Sequence, residues 1–242
     1  MEQLGDLWGR VLQTSAPLEP AATIAALVVA AAAVLTPVWR VARHAVTLVH
    51  EAGHGFAATV TGRRLSGIRL HSDTSGVTVS VGRPSGPGMV LTLLAGYPAA
   101  GLVGLGAAWL VGLGHATGAL WALLVLVVLV LVQIRNWFGL WSALVAGGGV
   151  FAVTWLAPAD WLPLVAVAVS GFLLLGSVRT TLELQGARRR QGRSRRGSSD
   201  ADQLARVTGV PGALWVTLFL LAGTACLALG VVLLLRLPLP WG

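Results

Sequence analysis

The chain has 242 residues, of which 55% are hydrophobic and only 11% are charged. Soluble domains of this length carry about 25% charged residues, so the composition excludes a protein whose surface faces water. The net charge of +8 would suit nucleic-acid binding, but eight of the 17 basic residues, all Arg, lie within residues 179–206, between apolar segments. A basic loop between membrane spans usually determines the orientation of the protein in the membrane. Because this explains the positive charge, we expect no nucleic-acid partner.

Seven apolar segments are long enough, or nearly long enough, to cross a bilayer as helices. They cover residues 20–39, 41–61, 88–113, 118–134, 137–157, 161–178 and 211–235. The predicted fold is an all-α integral membrane protein, a polytopic bundle of six to seven transmembrane helices. Its predicted parts are a polar N-terminal segment (1–19), a membrane core (20–178), a basic cytoplasmic loop (179–206), and a last transmembrane helix with the C-terminus (207–242).

The orientation follows from the basic loop, which the positive-inside rule places in the cytoplasm. Alternation of seven spans then places residues 62–87 and the N-terminus on the cytoplasmic side as well. Arg40 and Arg43 fall on the outer side, which breaks the rule once.

Residues 62–87 break the helical pattern. Residues 65–71 alternate apolar and polar side chains, and residues 77–81 alternate again after a polar turn that contains Gly76. Two such runs joined by a turn predict a small β-hairpin. Because open sheet edges are not tolerated in lipid, we expect the hairpin at the surface or against the helices.

The second apolar segment contains His50, Glu51 and His54 in the spacing HExxH. On a helix, residues i and i+4 share one face, so both imidazoles can bind one Zn²⁺ ion. Glu51 is then the candidate general base that takes a proton from water, because zinc lowers the pKa of bound water. The alternative is a pair of structural histidines, but ionisable residues inside a membrane helix are costly and usually functional.

Residues 47–58 resemble the active-site helix of the site-2-protease-like intramembrane metalloproteases, peptidase family M50, and the following hairpin resembles the membrane-associated β element of that family. Residues 94–100 are similar to a third-helix motif of the family, and residues 199–201 and 208–211 to motifs of its actinobacterial M50B-like branch. The resemblance implies a zinc metalloendopeptidase of the cell membrane. It also implies cleavage of peptide bonds in or near transmembrane segments, at an active site near the cytoplasmic side.

The third metal ligand departs from the family pattern, in which an Asp follows an Asn by eight residues. Asn136 suits the Asn position, but the residue eight positions later is Leu144, which cannot bind a metal. We consider Asp200 as the third ligand, with Asp202, Asn136 or no third ligand as alternatives. Asp200 also fits a helix cap, with Gln203 three residues later. Asn136 is also a candidate substrate-positioning amide.

The sequence therefore predicts an intramembrane zinc metallopeptidase that acts on a membrane-protein or peptide substrate in the lipid bilayer. The alternative is a catalytically inactive M50-like membrane scaffold or substrate-binding protein, which the missing Asp makes credible. A transporter that uses the histidines as an ion path explains neither the HExxH spacing nor the hairpin. The sequence does not indicate an oligomeric state.

Overall fold

The computed structural model describes residues 9, 11–190 and 199–237, most of which are helical. The helices are α1 (Pro20–Leu35), α2 (Trp39–Val60), α3 (Pro87–Gly112), α4 (Ala116–Gln133), α5 (Trp137–Leu156), α6 (Leu162–Arg190), α7 (Asp200–Thr208) and α8 (Gly212–Leu235), and the strands are β1 (Arg64–Leu70) and β2 (Gly76–Val81). A short 3₁₀ turn, Ala159–Trp161, leads into α6. The prediction of a helical membrane protein with a small hairpin after the HExxH helix is confirmed for the described residues.

Five helical segments are individually long and apolar enough to cross a membrane, namely α3, α4, α5, α8, and α6 with its preceding turn. Helices α1 and α2 meet at an angle of 98° and satisfy the same criterion only as a pair, which gives at most six spans among the described residues. A separate span for each of them is therefore not confirmed. Pro37 favours the break because it disfavours helical geometry at Thr36, and the ionisable side chains of α2 reduce its hydropathy.

The bent pair passes from one end of the helix bundle to the other. Before α1, the backbone N–H of Ser15 donates to the carbonyl of Gly114, in the turn between α3 and α4 (2.8 Å). After α2, Thr61 lies beside Gly88 at the start of α3. Because these two contacts lie at opposite ends of α3, α1 and α2 together extend along the length of α3.

Two segments lie elsewhere in the molecule than alternation of seven spans predicts. The residues just before α1 lie at the end of the molecule opposite to the hairpin, whereas alternation of seven spans placed both on the same side. Arg43, expected on the outer side, is half-buried beside α6, where its Nη2 lies 3.2 Å from Oε2 of Glu183. The bend of 98° between α1 and α2 is the cause, because it places the start of α2 within the bundle.

The last helix returns to the end where the chain enters α1. The Nη2 group of Arg236 donates to the carbonyl of Gly112, at the end of α3 (3.3 Å). Residues 15 and 236 therefore lie at one end of the molecule, and the hairpin and α7 lie at the other.

Helix α3 is the central helix and packs against α2, α6 and α8. Small residues allow the close approach: a Cβ at Gly53 of α2 would lie 2.6 Å from the Ala95 carbonyl oxygen, and one at Gly104 would lie 3.0 Å from the backbone nitrogen of Leu174. In lipid, such close packing of small residues is a main source of helix association. The contact at Gly53 thus determines which face of α2 is turned toward α3.

The hairpin packs on α2 through one face. Its strands are antiparallel, with Ile68 opposite Thr78, and the register shifts just before Gly67. Gly67 has φ +143°, a conformation that favours glycine and suits a bulge. Ile68 and Leu70 are buried in a cluster with Leu48 of α2. The side chains of β2 that face the same way as Ile68 are therefore brought toward the HExxH helix.

The segment predicted as a basic loop begins and ends as helix. Helix α6 continues to Arg190. Its polar C-terminal part is bound to α2, because Glu183 accepts a hydrogen bond from the indole N–H of Trp39 (2.7 Å). Helix α7 follows within the same predicted loop. Residues 191–198, which also belong to that prediction, lie outside the described residues.

Candidate metal centre

His50 and His54 lie one turn apart on α2 and point in the same direction. Their Nε2 atoms are 3.1 Å apart, and their ring planes are nearly perpendicular, at 89°. Two imidazole nitrogens at this distance can bind one metal ion. The HExxH spacing thus produces on this helix the geometry expected from the sequence.

A backbone carbonyl orients the second of these histidines. Nδ1 of His54 lies 2.6 Å from the carbonyl oxygen of Thr92 on α3. A carbonyl can only accept a hydrogen bond, so Nδ1 carries a proton, and in the neutral imidazole Nε2 is the nitrogen with the lone pair. This arrangement is typical of metal-binding histidines, whose second nitrogen is tied to an acceptor.

Asp200 completes a group of three ligand atoms. It is the first residue of α7, and its Oδ2 lies 3.2 Å from Nε2 of both His50 and His54. Burial acts to raise the pKa of the Asp200 carboxyl, but His54 and His50 outweigh it and hold that pKa below its usual value. The carboxylate is therefore ionised, which is the form that binds a metal.

The spacing of these three atoms fits a zinc ion. The N–N distance is 3.1 Å and both N–O distances are 3.2 Å. Donors of a tetrahedral Zn²⁺ site, with bonds of about 2.0–2.1 Å, lie roughly 3.3 Å apart. Two imidazoles and one carboxylate are also a ligand set that catalytic zinc sites use. The residues present therefore fit a Zn²⁺ ion in donor type and spacing.

Two neighbouring residues of α3 shape the wall behind the imidazoles. Gly96 leaves the space that the rings occupy, since a Cβ there would lie 2.7 Å from Cε1 of His50. Tyr97, which lies within residues 94–100, packs its ring edge-on against His50, at 4.7 Å between centroids. The other side of Tyr97 stacks on Phe219 of α8. The ring of His50 is thus held by packing rather than by a carbonyl.

Glu51 is buried, and the hairpin holds its side chain. Thr78 of β2 donates a hydrogen bond from Oγ1 to Oε2 of Glu51 (2.7 Å), and Glu51 is only 4% exposed. Gly76 provides the room, because a Cβ there would lie 2.6 Å from Cγ of Glu51. Thr78 was not identified from the sequence. Its position on the inward face of β2 was the available signal.

A cavity of about 860 Å³ opens beside the three ligand atoms. Its wall includes His50, Glu51 and Asp200 at one place, and Arg43 and Glu183 farther along α2 and α6. This volume lies within the range of ligand-binding pockets, about 300–1,000 Å³. The candidate base and the candidate metal ligands therefore face the same accessible space.

Asn136 lies at the hairpin and outside the residues that line the cavity. Its Nδ2 donates to the carbonyl of Leu70 (2.6 Å), and its Oδ1 accepts from the Leu70 N–H (3.1 Å). Both polar atoms of the amide are thus used by the hairpin backbone. Any effect of Asn136 on a substrate would pass through the hairpin that it anchors.

The structure also separates the two acidic residues of α7. Asp202, an alternative third ligand, pairs with Arg188 of α6 and does not join the imidazoles. The cap position belongs to Ser199, whose Oγ accepts a hydrogen bond from the Asp202 N–H (3.3 Å). The expectation of Asp200 as the cap is therefore wrong by one residue, and its carboxylate is left to face His50 and His54.

A family model described as Peptidase M50B-like matches residues 23–230, which include the HExxH helix, the hairpin and α7. Comparisons with curated proteins and with solved structures give no significant match.

Proposed function

The chain belongs to the Peptidase M50B-like family, and from this premise we propose that it is a zinc-dependent membrane metalloendopeptidase. The observation that carries the proposal is the convergence of His50 Nε2, His54 Nε2 and Asp200 Oδ2, at 3.1–3.2 Å from one another, beside the buried carboxylate of Glu51. His50, His54 and Asp200 are the metal ligands in this proposal, and Glu51 is the catalytic residue.

In the proposed reaction, the chain supplies a base, an orienting contact and a cavity. Zn²⁺, when held by the two histidines and Asp200, acts as a Lewis acid and lowers the pKa of water to near neutrality. Glu51 accepts a proton from the attacking water and later donates it to the leaving amine nitrogen. Thr78 occupies Oε2 of Glu51, so Oε1 remains for the proton transfer.

We propose that the substrates are membrane proteins or peptides, cut in or near their transmembrane segments. The chain has at least five helices that can cross a membrane, and the cavity lies between such helices and the hairpin. The hairpin end carries Arg63, Arg64, Arg69 and Arg83. By the positive-inside rule this end faces the cytoplasm, which would place the site near the cytoplasmic side of the cell membrane.

A non-catalytic scaffold is the alternative function. Its support in the sequence was Leu144, which stands where the family pattern has a metal-binding Asp. The carboxylate of Asp200 beside the two imidazoles weakens that argument, because it offers a third ligand from another helix.

The test compares the full-length wild-type protein with Glu51→Gln and His50→Ala in detergent and in proteoliposomes. We expect one zinc per wild-type chain by metal analysis, the same in Glu51→Gln, and a large loss in His50→Ala. A library of single-span membrane peptides, analysed by mass spectrometry, should be cleaved by the wild type alone. Zinc content that does not depend on His50 would contradict the metallopeptidase, and bound zinc without cleavage would favour the scaffold.

A further inference from the structure

Asp200 lies at the start of a short helix that cannot hold its position alone. Helix α7 has nine residues, and isolated helices of this length are not stable in water. One face of it is docked by apolar contacts, since Ala201 and Leu204 are fully buried against residues such as Leu184 and Phe219. These contacts hold the helix body, while Asp200 lies on the first turn.

A network of polar contacts ties that first turn to α6. Arg188 of α6 forms an ion pair from Nη1 to Oδ1 of Asp202, and the same Nη1 donates to Oγ of Ser199 (3.2 Å). The Ser199 hydroxyl in turn donates to Oδ2 of Asp202 (2.6 Å). Ser199 and Asp202 stand on either side of Asp200 in the chain, so both flanks of the candidate ligand are fixed to α6.

This network is shielded from water. The side chains of Arg188 and Asp202 are 14% and 12% exposed. The guanidinium of Arg188 packs against Gly212 at the start of α8. A Cβ at Gly212 would lie 2.6 Å from Nη2 of Arg188, so only glycine leaves room for it. Removing one partner of such a pair leaves an uncompensated charge in a poorly hydrated place, so the first turn of α7 would have to move.

We propose that Arg188 is a positioning residue that acts through Asp202 and Ser199 to hold Asp200 at the metal centre. The inference rests on the proposed zinc site. Contacts that support a metal ligand typically change metal affinity by about 10- to 100-fold when they are lost. Arg188 does not touch the ligand atoms, and its effect on the metal passes entirely through α7.

The test measures the Zn²⁺ affinity of the full-length protein in detergent by competition with a chromophoric chelator. Arg188→Ala should weaken Zn²⁺ binding by about 10- to 100-fold. Arg189→Ala is the matched control, because Arg189 is the next residue on α6 and is exposed. The exchanged pair Arg188→Asp with Asp202→Arg should recover part of the affinity, and thermal unfolding of each variant checks that it is folded.

A double-mutant cycle with Asp200→Ala separates positioning from general loss of structure. If Arg188 acts through Asp200, then Arg188→Ala changes the affinity of the Asp200→Ala protein by less than about twofold. Equal losses in both backgrounds, or a wild-type affinity in Arg188→Ala, would overturn the inference and leave the zinc site standing. A wild-type chain that binds no zinc would overturn both.

Discussion

Gly96 has no side chain, and the rings of His50 and His54 occupy the space that a side chain there would fill. A Cβ at that position would lie 2.7 Å from Cε1 of His50 and closer still to Nε2 of His54. We expect Gly96→Ala to weaken zinc binding by at least about tenfold, because the rings have to move apart. Gly106→Ala is the control on the same helix, since a Cβ there meets nothing within 4 Å. Equal zinc content in the two variants, after dialysis, would contradict this role.

Thr78 provides a second prediction at this scale, and it concerns the base rather than the metal. Thr78→Val keeps the shape but removes the hydroxyl that donates to Glu51. A hydrogen bond to a charged group contributes about 1.5–3 kcal/mol, so kcat/KM for peptide cleavage should fall roughly 10-fold or more. Zinc content should stay at the wild-type level, and Thr78→Ser should retain activity. A fully active Thr78→Val protein would show that Glu51 does not need this contact.

The sequence indicated His50, Glu51, His54 and Asp200 but not the residues that hold them. HExxH places its ligands by the repeat of one helix, which is a local property. Thr78, by contrast, reaches Glu51 across 27 residues, and Thr92 reaches His54 across 38. Such contacts depend on the register of the hairpin and on the packing of α3. The alternation of β2 places Thr78 on the inward face, but it does not identify Glu51 as its partner.

The hairpin is attached to the loop before α5 by the side-chain amide of Asn136 and by the Arg135 N–H, which donates to the Ile68 carbonyl (2.9 Å). Asn136 makes two hydrogen bonds to the backbone of Leu70, a residue 66 positions away. Each such bond contributes about 1 kcal/mol, so Asn136→Ala should speed amide exchange of residues 64–81 by roughly tenfold or more. Zinc content should remain unchanged, because no candidate ligand lies on the hairpin. Gln133→Ala is the control, and equal exchange in both variants would argue against the anchor.

The limits of the helices were predicted well where they depend on hydropathy. The apolar segments 118–134 and 137–157 match α4 and α5 within two residues. The free energy of transferring a side chain into lipid depends on its residue type, so the limits of an apolar segment can be read from the sequence. Residues 179–190 were predicted as loop, since their Arg and Glu content suits water. Their helix is stabilised by partners on α2, including the indole of Trp39, and a single sequence does not indicate such partners.

At the scale of the whole molecule, the bend between α1 and α2 predicts that residues 14 and 237 lie on one side of the membrane and the hairpin on the other. We expect Thr14→Cys and Leu237→Cys, both exposed, to react with an impermeant maleimide from one side. Ser66→Cys on the hairpin should react from the other side. The labelling uses a Cys226→Ala background, because Cys226 is the natural cysteine of the chain. Labelling of residues 14 and 66 from the same side would restore separate crossings for α1 and α2.

The candidate ligands come from α2, near the beginning of the chain, and α7, near its end. An ion shared by these helices would be linked to folding, because a ligand that binds only the native state adds about 2.7 kcal/mol of stability at 100 times its dissociation constant. Unfolding temperature measured with and without a chelator should reveal this coupling in the wild type and not in His50→Ala, and identical shifts would refute it. Zinc supply in the cell would then set how much of the protein survives quality control as well as how much is active.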